Sequence, residues 1–93
     1  MSYEYSDRSK KTRGVNEQSI HYNAFNDYSA RLRRRIIQLR NERNLTQEDM
    51  QQYELSLRQY QRIEKGETKN ITLANLYKIA KAFQIEVSDL LDV

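Results

Sequence analysis

The chain has no cysteine among its 93 residues, one histidine and two glycines. Without cysteine it forms neither disulfides nor thiolate metal sites, and redox compartment is left open. His21 alone cannot assemble a zinc site. No stretch approaches the roughly 18 apolar residues of a membrane span. No apolar segment opens the chain as a secretion signal would, so a cytoplasmic protein is the expectation. Glycine loops that cradle nucleotides and serine nucleophile motifs are missing too, so neither catalysis nor a cofactor or metal is expected. Hydrophobic residues make up 38% of the chain, which suits one small domain with an extension.

What is present is positive charge, unevenly spread. The formal net charge is +3, and residues 1–35 carry eight Lys/Arg against four Asp/Glu. Residues 36–67 carry five against six, and residues 68–93 carry three of each. A dense cluster lies at Arg31, Arg33, Arg34 and Arg35. Such a cluster suits an anionic partner such as nucleic acid, or else a solvated helix face. Residues 1–25 are polar and aperiodic, with Arg8, Lys10, Lys11 and Arg13 among them. They read as a flexible basic tail, and residues 26–93 as the folded domain.

From about Asp27, a candidate N-cap, apolar residues follow a helical period through Leu32, Ile36 and Leu39. This helix should end near Asn44, a residue tolerant of left-handed dihedrals. Thr46 with Asp49 three residues on has the form of a capping box opening a short second helix, with Met50 and Tyr53 inward. Ser56 with Gln59 repeats that signature, and a third helix runs from about Leu57 to Lys65 and stops at Gly66. Thr72 caps a fourth helix with Leu73, Leu76, Ile79, Ala80 and Phe83 on one face. Ile85 and Val87 lead to a last turn, Ser88 to Leu91. With no strand pattern, the expectation is a compact all-α domain of five helices.

The third helix is the most informative element. At 100° per residue, Arg58 and Arg62 fall within about 40° of each other. Gln61 and Leu57 adjoin them, while Tyr60, Ile63 and Glu64 take the other side. Arginine can bond guanine O6 and N7 in a fork, and glutamine can bond adenine N6 and N7. A major groove about 12 Å wide admits such a helix. Leu57 has no side-chain hydrogen bond to offer, so it either packs on a thymine methyl or closes the core. Gln47, in the first turn of the second helix, is placed to meet a phosphate; the plainer reading is a neutral exposed residue.

The segments IIQLRNERNLTQED, SLRQYQRIEKG and NITLANLYKIAKAF, in that order between about Ile36 and Leu91, resemble the lambda-repressor-like helix-turn-helix family (the Cro or xenobiotic-response-element type). The resemblance implies a sequence-specific regulator of double-stranded DNA, foremost a repressor of bacterial or phage origin. Leu57, Arg58, Gln61 and Arg62 would then face bases. Gln47, Gln59, Thr68, Lys69 and Asn70 would touch phosphates. Arg40 and Glu64 would form a structural ion pair, since Glu64 lies inward, where an unpaired carboxylate is costly. A homodimer on a pseudo-palindromic operator is implied, with Leu91 and Val93 as interface residues.

The family commonly has a small residue early in the second helix and glycine in the turn; Gln51 and Glu54 stand near those places here. The helix-turn-helix segment is also one residue shorter than the commonest form. A phage-type repressor, a restriction–modification controller and an antitoxin all remain open. So does a protein-interaction module of the same fold that uses the tyrosine-rich tail.

Overall fold

The computed structural model describes residues 14–93, and these fold as five helices with no strand among them. Helix α1 spans Tyr22–Glu42. A 3₁₀ helix spans Glu48–Tyr53. Helix α2 spans Leu57–Lys65, α3 spans Leu73–Phe83, and α4 is a single turn, Val87–Leu90.

The first helix begins earlier than the sequence suggests. Asp27 is not its N-cap but sits inside it and pairs with Arg31 one turn on. The reason is visible in the pattern. Phe25 and Tyr28 continue the stripe of Leu32, Ile36 and Leu39 backwards at spacings of three and four, and both are partly covered. Before it, Ser19 organises a turn: its hydroxyl accepts the His21 N–H and its carbonyl accepts the Tyr22 N–H. The tail expectation for residues 1–13, with Arg8, Lys10, Lys11 and Arg13, lies outside the described residues.

Chain reversals follow from local chemistry. Asn44, Gly66 and Gln84 all take the left-handed region, at φ 57°, 79° and 60°. Each closes a helix with the same pair of backbone bonds. After α1, for example, Leu45 N–H bonds the Arg40 carbonyl and Asn44 N–H bonds the Asn41 carbonyl. The Thr46–Asp49 capping box forms in both directions, at 3.0 and 2.8 Å. The helix it opens is 3₁₀ rather than α, in keeping with its six-residue length. Ser56 and Thr72 cap α2 and α3 by accepting the N–H groups of Gln59 and Asn75.

The turn between the 3₁₀ helix and α2 passes through Glu54, at φ 65°. An L-residue pays roughly 1–2 kcal/mol in this region and glycine does not. Glu54→Gly should therefore raise stability by about 1 kcal/mol, read as a higher urea midpoint at constant slope. The Glu54 carbonyl, which accepts from Lys78 Nζ at 3.1 Å, is retained in that variant.

The core joins Leu32, Ile36 and Leu39 of α1 to Met50, Leu55, Tyr60 and Ile63, and to Ile79, Ala80, Phe83 and Leu90. Leu73 is the one residue of the expected fourth-helix face that is not inside: it is 71% exposed. It is the first residue of α3, one turn short of the packed interface. Tyr77, one turn on, is also exposed.

Candidate nucleic-acid interface

Helix α2 divides cleanly. Tyr60, Ile63 and Glu64 are buried, while Arg58, Gln59 and Arg62 are exposed and Leu57 and Gln61 half-exposed. The four expected base-reading residues thus share the outer side of one nine-residue helix. Arg58 makes no ion pair or hydrogen bond among the described residues. Arg62 lies 3.8 Å from the Glu67 carboxylate, an exposed and therefore weak pair. The Gln59 side chain does not return the bond to Ser56 that a full capping box requires, and it stays exposed.

Behind this face lies a buried polar chain. Arg40 Nε donates to Glu64 Oε2 at 2.6 Å and Arg40 Nη2 to Glu64 Oε1 at 3.0 Å, a two-pronged ion pair. Arg40 Nη1 donates to the Leu45 carbonyl at 2.8 Å. The Tyr60 hydroxyl donates to Glu64 Oε2. Gln47 Nε2 donates to Glu64 Oε1 at 2.8 Å, and Gln61 Nε2 donates to Gln47 Oε1 at 3.2 Å. A continuous path therefore runs from Arg40 through Glu64 and Gln47 to Gln61 on the outer face. The Gln47 and Tyr60 bonds to Glu64 have no separate signature in the sequence. Tyr60 is, however, one helical turn before Glu64, a spacing that puts the two side by side.

The charges in this chain are fixed. Burial alone would raise the Glu64 carboxyl, which is only 7% exposed. Hydrogen bonds from Arg40, Tyr60 and Gln47 outweigh it and hold the group below its ordinary value. Burial, together with the bond donated to Glu64, pushes the Tyr60 phenol far above its usual range. The bond to Glu64 raises the Arg40 guanidinium further. All three stay in one protonation state near neutrality.

The expected phosphate residues are less uniform. Gln47 spends one amide N–H on Glu64 and its oxygen on Gln61, which leaves one N–H for a ligand. Asp49 holds its carboxylate on the Thr46 N–H at the start of the 3₁₀ helix. A phosphate contact there can therefore draw on the Gln47 carboxamide and on the Gln47 and Glu48 N–H groups, which make no hydrogen bond among the described residues. Lys69 Nζ bonds Asn26 Oδ1 at 3.0 Å, tying the loop after α2 to α1. Thr68 is half-buried and Asn70 exposed in the same loop, and Gly14 lies against Asn70.

The basic cluster of α1 is not one patch. Arg31 pairs with Asp27. Arg33 donates to the Glu64 carbonyl at 3.4 Å and lies against Gly66. Arg35 donates to the Asp89 carbonyl at 3.1 Å. Farther along, Arg43 donates to the Phe83 carbonyl at 2.6 Å. Cations at carbonyl ends of other helices are structural staples, and positions 31, 33, 34 and 35 of one helix necessarily point different ways.

A helix-turn-helix family model matches residues 36–90. The chain belongs to that family. Among curated proteins and solved structures, none matches the chain. In the helix-turn-helix frame the 3₁₀ helix and α2 are the two helices of the motif, and Glu54 to Ser56 is its turn. The match begins at Ile36, so the first fourteen residues of α1 precede it. No described helix is long and apolar enough to cross a membrane. Leu91 and Val93 are half-buried; Leu91 packs on the core and its carbonyl accepts the Tyr28 hydroxyl at 2.7 Å.

Proposed function

We propose that the protein is a sequence-specific double-stranded DNA-binding regulator, acting as a repressor, that lays α2 in the major groove. The observation that carries this is the outer face of α2, with an Arg58 that has no partner among the described residues beside a Gln61 oriented from behind. Gln61 keeps its carbonyl and one amide N–H, the pair that an adenine edge requires. Arg58 and Arg62 suit guanine, and Leu57 a thymine methyl. Gln47, Gln59, Thr68, Lys69 and Asn70 then meet the flanking phosphates, which set register without reading sequence.

One such unit covers little DNA, so a homodimer on a pseudo-palindromic operator completes the reading, with Leu91 and Val93 at the two-fold contact. A cytoplasmic setting and a bacterial or phage origin go with it. Selection from random duplex DNA tests the proposal. It should return a dyad-symmetric motif with half-sites about one helical turn apart. Recovery of no motif would refute sequence-specific binding.

The N-terminal basic residues enter as a backbone contact. Gly14 lies beside Asn70 of the expected phosphate loop, so Arg8, Lys10, Lys11 and Arg13 precede a point next to that loop. Deleting residues 1–13 keeps all of α1 and should weaken operator binding. It should also shrink the slope of log affinity against log salt by about 1–3 units. An unchanged slope would remove the tail from the interface.

A second reading, an antitoxin or other protein-interaction module, draws on exposed Leu73 and Tyr77 of α3. It predicts a protein partner whose binding fails in Leu73→Ser without loss of the DNA motif.

A further inference from the structure

A cavity of about 390 Å³ opens beside the C-terminal end of α2, within the range of small-molecule sites. Its apolar wall is made by Phe25, Tyr28 and Leu32 of α1, with Ile71, Leu76 and Leu91 across from them. The α1 side of that wall precedes the family-matched segment. Three cations line the same space: Arg33, Lys65 and Lys69. No acidic residue lines it among the described residues. The Lys69 ammonium is held by a neutral amide, Asn26, and Arg33 by a backbone carbonyl, so neither charge is cancelled by those bonds. Ser29 and Thr68 add hydroxyls to the lining.

An apolar recess about the size of a small molecule, with three cations and no carboxylate among the described residues, selects for one class of ligand. The tail of that ligand is apolar and its head carries a negative charge. We infer that this cavity is a binding site for a small amphipathic anion, a medium-chain aliphatic or aromatic carboxylate. The tail lies between α1 and the Ile71–Leu76 side, and the carboxylate takes hydrogen bonds from Lys65, Lys69 or Arg33. The inference is independent of DNA reading, because binding is measured without DNA.

The test uses the full chain and octanoate, with octan-1-ol as the uncharged control. Methyl resonances are followed by NMR. Octanoate should shift Ile63, Ile71, Leu76 and Leu91 saturably, and shift the methyls of Met50 and Leu55, which do not line the cavity, far less. Octan-1-ol should bind about fivefold more weakly, the effect of one partly exposed charge contact. Lys65→Gln should weaken octanoate about threefold and leave octan-1-ol unchanged. Ala30→Trp, which fills the recess, should abolish both while the fold, followed by its thermal midpoint, is kept. If that variant misfolds, the comparison of the two ligands on the native chain still decides. Shifts that are scattered or unsaturated at about 10 mM octanoate, or equal affinity for the alcohol, would overturn the inference.

Discussion

Arg40→Met is expected to destabilise the protein by about 3–5 kcal/mol. The loss comes less from the missing attraction than from what is left behind. Glu64 stays buried with its charge and loses both guanidinium bonds, and the Leu45 carbonyl loses its donor. Adding Glu64→Leu should recover part of the loss, since it removes the uncompensated buried charge while leaving the Tyr60 hydroxyl and the Gln47 amide without their acceptor. Urea denaturation of the single and double variants gives both values.

The same pair fixes a sign in the pH dependence. In the native chain the Glu64 carboxyl is held below its ordinary value. Its contribution is therefore fully present above the unfolded carboxylate pKa, about 4.3. It is lost as pH falls through the lower folded value. In Arg40→Met, burial acts with less opposition and the carboxyl moves upward. The contribution then shrinks: the variant should lose less stability than the native chain as pH falls from neutrality into acid. Stability curves of both proteins between acid and neutral pH check this, and parallel curves would contradict it.

Arg58→Ala should lower affinity for the best operator about 10- to 100-fold, or roughly 1–3 kcal/mol, while leaving stability within a few tenths of a kcal/mol. Arg58 has no intramolecular partner among the described residues, so nothing in the fold depends on it. Arg62→Ala should cost less, because its guanidinium already lies near Glu67. Fluorescence anisotropy on a labelled operator separates the two.

Much of this fold was legible because each boundary carries its own chemistry. Thr46, Ser56 and Thr72 announce helix starts through hydroxyl caps, and Gly66 announces a stop. The inward side of α2 follows from the period of Tyr60, Ile63 and Glu64. Arg40 and Glu64, far apart in sequence, came together in the reading through the family resemblance, while the inward place of Glu64 only demanded some partner. The start of α1 lies before Asp27, which has the chemistry of a cap, because Phe25 and Tyr28 carry the apolar stripe back past it at helical spacing. Leu73 was misplaced because helical phase fixes direction but not depth along the axis. The arginines of α1 suit either an anionic partner or a solvated face by sequence, whereas Arg33 and Arg35 act on single carbonyls of α2 and α4. Those partners are set by how helices cross, which local pattern does not encode. The Gln47 link between Glu64 and Gln61 belongs to the same class.

The most direct measurement is selection from random duplex DNA carried out in parallel with the native protein and with Arg58→Ala. The expected result is a dyad-symmetric motif for both, with preference for guanine lost at one position per half-site in the variant and the remaining positions intact. The contradicting result is an identical motif from the two proteins, or no motif from either.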